Sequence, residues 1–175
     1  MLTGTLNLCT LKAMTINEKI ASAFNNQVTA ELEASMVYLQ LSYILDDLGL
    51  TGMRDWMKAQ SEEELEHAHK FAQHLLDRDY TPQIGDIAPP KLDVSSALEA
   101  FEASLAHEQK ISGMIRELAA IQDAEKDYDS RALIDWFLNE QIEEEATVGE
   151  IIDRLRIVGN SGSGILRIDG ELGSR

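Results

Sequence analysis

The chain has 175 residues, with 15 Lys+Arg against 31 Asp+Glu, a formal net charge of −16 and a sequence pI near 4.5. That length holds one domain with a sizeable core, a hydrophobic fraction of 44% excludes a disordered chain, and the acidity opposes binding to nucleic acid or an anionic membrane. The single cysteine, Cys9, allows no internal disulfide and no cysteine metal cage, which suits a reducing cytoplasm.

Residues 1–14 have no basic leader region, only Lys12, and are expected to be an N-terminal extension to a domain over 15–175, not an export signal. No apolar run approaches the ~18 residues of a membrane span. From 15 to about 47, Ile20, Phe24, Val28, Leu32, Tyr38 and Leu39 recur at helical spacing, with Asn17 as N-cap. Leu48 and Gly49 end that helix. Thr51 opens a second one through Met53, Met57, Phe71 and Leu75 that dies near Asp79, and the short gap pairs the two antiparallel.

Residues 80–93 hold Pro82, Gly85, Pro89 and Pro90 without periodicity and read as a long connection. Ser95 or Ser96 caps a third helix through Ala97, Phe101, Leu105, Ile111, Ile115 and Leu118. Residues 127–129 lead into a fourth through Leu133, Phe137, Val148, Ile151 and Leu155. Each long helix of about thirty residues spans about 45 Å. After the Gly/Ser-rich stretch 160–164, Ile165, Ile168 and Leu172 predict a short fifth helix over about 163–173. Its stripe is expected to bury against other subunits, because four helices already fill a bundle. The fold class is therefore all-α: a four-helix bundle with one long crossover loop and a short fifth helix.

Acids interrupt the apolar stripes. Helix two reads Met53, Met57, Gln60, Glu64, His67, Phe71, Leu75, so Glu64 and His67 face the core. Helix one reads Phe24, Val28, Glu31, Ser35, Tyr38, and helix three Phe101, Ser104, Glu108, Ile111. Helix four reads Leu133, Phe137, Glu140, Glu144, Val148, with Gln141 beside the acids. Unpaired buried carboxylates each cost several kcal/mol, and no Lys or Arg falls on these stripes. A bound metal compensates, and oxygen donors with one imidazole suit iron or manganese, with zinc as competitor. Di-iron bundles take one Glu from each of two helices and Glu-x-x-His from the other two. Here Glu31, Glu108 and Glu64-x-x-His67 are in place, but helix four offers Gln141-x-x-Glu144, with Thr147 where a second His would fall.

The competing reading is a solvated acidic seam without metal. Tyr38 is either a core aromatic or a redox or hydrogen-bonding partner of the metals. Met53, Trp56, Met57 and Trp136 read as packing, while His69, His74 and His107 carry no spacing argument and go to the surface or local packing.

The segments Glu31-Leu32-Glu33-Ala34-Ser35-Met36-Val37-Tyr38, Glu62-Glu63-Glu64-Leu65-Glu66-His67 and Trp136-Phe137-Leu138-Asn139-Glu140-Gln141-Ile142-Glu143-Glu144-Glu145 resemble those of the bacterial non-haem ferritins. The resemblance runs over about 15–173. It implies a ferritin-like fold and a ferroxidase that oxidises Fe(II) with O2 or H2O2 in a cytoplasmic homo-oligomer, a cage of 24 subunits storing ferric mineral. It further implies that Glu31, Glu64 and His67 hold one iron, that Glu64 bridges to a second held by Glu108 and Glu144 near Gln141, and that Glu63, Glu140 and Glu143 form a third iron site.

Two departures separate this chain from relatives of the same fold. The bacterioferritins carry a second Glu-x-x-His, where Thr147 stands here, and bind haem through a Met after the bridging Glu, where Leu65 stands here. No haem is expected. The alternatives are a di-iron oxidase or oxygenase acting on an organic substrate and a metal-free helical interaction protein.

Overall fold

A computed structural model describes residues 16–174; the expected extension over 1–14 lies outside the described residues. Four long helices, α1 (Glu18–Asp47), α2 (Thr51–Asp77), α3 (Ala97–Glu125) and α4 (Arg131–Val158), are followed by a short α5 (Gly162–Leu172). Among the described residues there is no strand.

Local chemistry sets the helix ends. The Asn17 side chain accepts from the Lys19 N–H at 2.8 Å, and Ser96, not Ser95, caps α3 by accepting from the Glu99 N–H at 3.2 Å. Ser95 takes the reciprocal position, its N–H donating to Glu99 at 2.8 Å. Gly49 turns the chain out of α1 at φ +75°, a left-handed conformation that a Cβ disfavours. One 3-10 turn, Tyr128–Ser130, separates α3 from α4.

α1 packs chiefly on α2 and α3 on α4, with α1 also against α3. Two apolar clusters result. One gathers Leu41, Met53, Trp56, Met57, Phe101, Val148 and Ile152. The other gathers Ile20, Phe24, Phe71, Leu75, Ile111, Ile115 and Phe137. Between them lies a belt of buried polar side chains: Glu31, Glu64, His67, Glu108, Gln141 and Glu144.

One expectation about a free surface is overturned. α5 packs on its own bundle, with Ile168 and Leu172 buried in the first cluster. The buried Asp169 carboxylate accepts from the Met53 N–H at 2.8 Å, meeting one of the unpaired donors at the start of α2. The approach needs Gly52, since a Cβ there would overlap the Asp169 carbonyl. The crossover likewise lies on α1: Asn25 and Gln83 exchange two 2.6 Å hydrogen bonds, and Thr29 Oγ1 accepts from the Gly85 N–H at 2.9 Å. Spacing cannot anticipate either contact, because the open end of a four-helix bundle is a tertiary feature.

Candidate metal centre

Each helix of the bundle carries one or two members of the belt, because a residue on an inward stripe three or four positions from apolar neighbours must share their burial. Glu31, Tyr38, Glu64, His67 and Glu108 are each at most 1% exposed, Gln141 3% and Glu144 6%. Among the described residues no Lys or Arg is buried. The stripe of α4 runs Ile134, Phe137, Gln141, Glu144, Val148. It is thus turned by one residue from the expected Leu133 and Glu140 in its first half: Glu140 sits at the margin, its side chain 20% exposed, and Gln141 takes the inward place. Glu143 is exposed.

One atom from each of Glu31, Glu64 and His67 falls in a group whose members all lie within 4.8 Å of one another. His67 Nδ1 stands 3.3 Å from Glu64 Oε2. Glu31 Oε2, Glu64 Oε1 and His67 Nε2 are buried without a hydrogen-bond partner. Buried polar atoms are ordinarily satisfied, so the orphaned carboxylate oxygens of Glu31 and Glu64 beside the His67 ring fit a cation that supplies the missing partner. Glu108 and Glu144 complete the belt from α3 and α4. The Tyr38 hydroxyl donates to Glu108 Oε1 at 2.6 Å, Gln141 Nε2 to Glu108 Oε2 at 3.4 Å and Gln60 Nε2 to Glu144 Oε2 at 3.3 Å. A second group joins Glu63, His67 and Glu140 within the same 4.8 Å limit, without Glu143.

The electrostatics match an acidic pocket lacking its counter-charge. Burial, then the charge of Glu64, pushes the Glu31 carboxyl well above the usual range. Burial, then Glu108 and Glu144, does the same to Glu64. Glu108 is raised by burial against the opposing hydrogen bonds from Tyr38 and Gln141. Glu144 is pushed up to about 8 by burial, followed by Glu108 and Glu63. Burial lowers His67, keeping its ring neutral and free to ligate, and raises Tyr38, with Glu108 adding to the rise.

Several supporting residues escaped the reading of the sequence. Gln27, one turn before Glu31, donates to Glu31 Oε1 at 2.9 Å. The i, i+4 spacing from an inward acid was the available signal. The Ser112 hydroxyl lies 2.9 Å from Gln141 Oε1 and 2.5 Å from Glu145 Oε1, with one proton for the two acceptors, pairings across helices that carry no sequence signal. Trp136 is more than packing, for its ring lies edge-on to His67 at 5.6 Å, with Lys70 Nζ 4.3 Å from its centroid. His74 stacks on Phe24 at 5.4 Å, as local packing requires.

The model of the ferritin-like domain matches residues 21–158, a span that includes every member of the belt. The chain belongs to the ferritin family. Among its relatives, a bacterial non-heme ferritin of Bacteroides fragilis is 36% identical over 160 residues, covering 91% of this chain and 99% of the relative. A probable bacterial non-heme ferritin-like protein of Haemophilus influenzae is 31% identical over 159 residues, covering 91% and 96%. Among solved structures, an open-pore ferritin from the archaeon Archaeoglobus fulgidus superposes with a TM-score of 0.89 at 34% identity, covering 91% of this chain and 98% of that one. The all-helical ferritin bundle with its short terminal helix is thus common to this ferritin and its neighbours. No helix among its described residues is long and apolar enough to cross a membrane.

Proposed function

We propose that this ferritin is an iron-storage protein with ferroxidase activity, taking Fe(II) as substrate at the buried belt. The observation that carries the reading is a belt of four buried glutamates and one neutral imidazole, with unpartnered oxygens on Glu31 and Glu64 and, among the described residues, no buried Lys or Arg. Glu31, Glu64 and His67 bind one Fe(II). Glu108 and Glu144 bind a second, with Gln141 beside it and Glu64 between the two. Oxygen donors fit iron in both oxidation states, and Tyr38 and Gln141 orient Glu108 by their hydrogen bonds. Glu63 and Glu140 mark a third position at the margin of the belt, with Glu143 on the exposed face beyond it.

The protein's part is to hold the two ions at fixed spacing in a buried belt between two apolar clusters. Each Fe(II) gives up one electron. O2 taking two electrons and two protons leaves as H2O2, and H2O2 taking two electrons and two protons leaves as two waters. Fe(III) then passes to the mineral inside a homo-oligomeric cage of 24 subunits in the cytoplasm, where the net charge of −16 favours gathering Fe(II).

The decisive experiment is aerobic incubation with excess Fe(II) followed by sizing, with Glu64→Ala in parallel. Storage gives hundreds of irons retained on a large particle and, in the variant, loss of the fast initial oxidation with the helical signal intact. About two irons per chain without further retention would mark an enzyme acting on another substrate. No retained iron, or an unchanged initial rate in Glu64→Ala, would overturn the assignment.

A further inference from the structure

Three oxygens meet in the seam between α3 and α4 with one proton to share. The Ser112 hydroxyl, on a residue 1% exposed, stands 2.9 Å from Gln141 Oε1 and 2.5 Å from Glu145 Oε1. A serine has one O–H to give, whereas the amide oxygen of Gln141 and the carboxylate of Glu145 only accept. Whichever of the two takes the proton, the other faces Ser112 lone pair to lone pair, and an acceptor left without a donor is destabilising. The far end of the same amide is also poorly matched. Gln141 Nε2 donates to Glu108 Oε2 at 3.4 Å, a long contact beside the 2.6 Å bond from the Tyr38 hydroxyl to Oε1 of that carboxylate. This N–H covers a ligand oxygen of the second iron position and turns the positive end of the amide dipole towards it.

We propose that Ser112 and Glu145 are positioning residues for the metal position at Glu108 and Glu144, favouring a half-turn of the Gln141 amide that accompanies cation binding there. The inference rests on reading Glu108 and Glu144 as ligands of the second iron. With the amide turned, its oxygen faces Glu108, and a cation makes that meeting of two oxygens favourable. Its nitrogen faces Ser112. The Ser112 oxygen then accepts from Gln141 Nε2 and the Ser112 O–H turns to Glu145, so that each hydrogen-bonding group of the seam has a partner.

The register of the two helices supports the arrangement. Ser112 stands four residues after Glu108 in α3, and Glu145 four residues after Gln141 in α4, so each lies one turn along the face of the residue it serves. Arg116 Nη2 is 3.8 Å from Glu145 Oε1, which keeps that carboxylate at the seam. Binding a cation thus gains a charge-assisted hydrogen bond that the unturned amide denies the seam. The gain adds to affinity at the position of Glu108 and Glu144, because Glu31 and His67 have no contact with Ser112 or Glu145 among their hydrogen bonds and ion pairs.

The test follows Co(II) by its visible absorbance on the whole assembled protein, and the Co(II) that Glu144→Ala loses reports the position in question. Ser112→Ala removes the hydroxyl that links amide and carboxylate. Glu145→Gln offers Ser112 an N–H before the turn and an oxygen after it, so that the turn gains nothing. Each is expected to weaken this Co(II) about tenfold, as loss of an outer partner does. Ser112→Ala/Glu145→Gln should weaken it no further, since both changes remove the same hydrogen bond. Ser112→Thr keeps the hydroxyl and should keep the wild-type affinity. Particle size and helical signal check assembly; if Ser112→Ala does not assemble, Glu145→Gln is made in Gln141→Leu, where no amide is left to turn and it should change nothing. Unchanged affinity in either single variant, losses that multiply in the double variant, a loss in Ser112→Thr equal to that in Ser112→Ala, or an effect of Glu145→Gln that survives in Gln141→Leu would each overturn the positioning roles. Those results leave the second iron position standing; a wild type with no Co(II) sensitive to Glu144→Ala removes that position and the inference with it.

Discussion

At the scale of single residues, the belt depends on side chains that hold the ligands as much as on the ligands. Gln27 is 1% exposed and its amide is the donor to Glu31 Oε1, leaving Oε2 bare for a cation. Outer partners of this kind are worth about 10–100-fold in metal affinity. Gln27→Leu preserves bulk and removes the donor, so Co(II) affinity measured calorimetrically should fall by about tenfold while the bundle keeps its helicity. Unchanged affinity would show that burial alone orients Glu31. Glu31, Glu64 and His67 were legible because inwardness follows from periodicity along one helix. Ser112 with Gln141 was not legible, because that pair spans α3 and α4 and depends on how far the two helices slide past each other.

At the scale of elements, the junction between α3 and α4 is closed by a polar knot. Arg78 Nη1 donates to Asp127 Oδ2 at 2.7 Å and to Ser130 Oγ at 2.9 Å, and the Ser130 hydroxyl donates to the same Asp127 carboxylate. His74 Nε2 lies 2.9 Å from Ser130 Oγ. Burial acts to raise Asp127, but the hydrogen bonds from Arg78 and Ser130 outweigh it and hold the carboxyl below its usual range. The unfolded chain therefore binds this proton more readily than the folded one. The resulting stability is full above the unfolded value of about 3.9 and is lost as pH falls through the lower folded value. Asp127→Asn should melt lower than the wild type at pH 7, with the gap closing below about pH 4. A gap that is constant with pH would mean that shape, not charge, closes the junction.

At the scale of the whole molecule, an acidic belt buried between two apolar clusters makes stability depend on cations. A ligand that binds only the folded state adds about 2.7 kcal/mol at a concentration of one hundred times its Kd. Thermal unfolding of the protein freed of metal by chelation should therefore occur at a lower Tm than with excess Zn(II), and calorimetry should show that difference abolished by Glu64→Gln. An equal Zn(II) effect in that variant would place the stabilising ion elsewhere on the acidic surface. The exposed Ile157, at 84%, and Leu166, at 61%, remain apolar surface at the α5 end, while the inner side of α5 is already buried.

The sequence by itself determined the four long helices, the aperiodic crossover, the short fifth helix and the inward acids. All of these follow from a period of 3.6 residues, from capping side chains and from breakers, which act within a few residues of chain. Only the tertiary structure decided that α5 caps the N-terminus of α2 through Asp169, that the crossover runs along α1, and that α4 turns Gln141 inward and leaves Glu140 at the margin. It also decided that His67 presents one nitrogen to each of two carboxylate groups. These features depend on the rotation and offset of one helix against another, set by packing all the side chains of the core at once. Phe137, Glu144 and Val148 lie inward under either reading of α4, so its apolar pattern does not choose between Glu140 and Gln141, about 100° apart round the helix; packing against the other helices does.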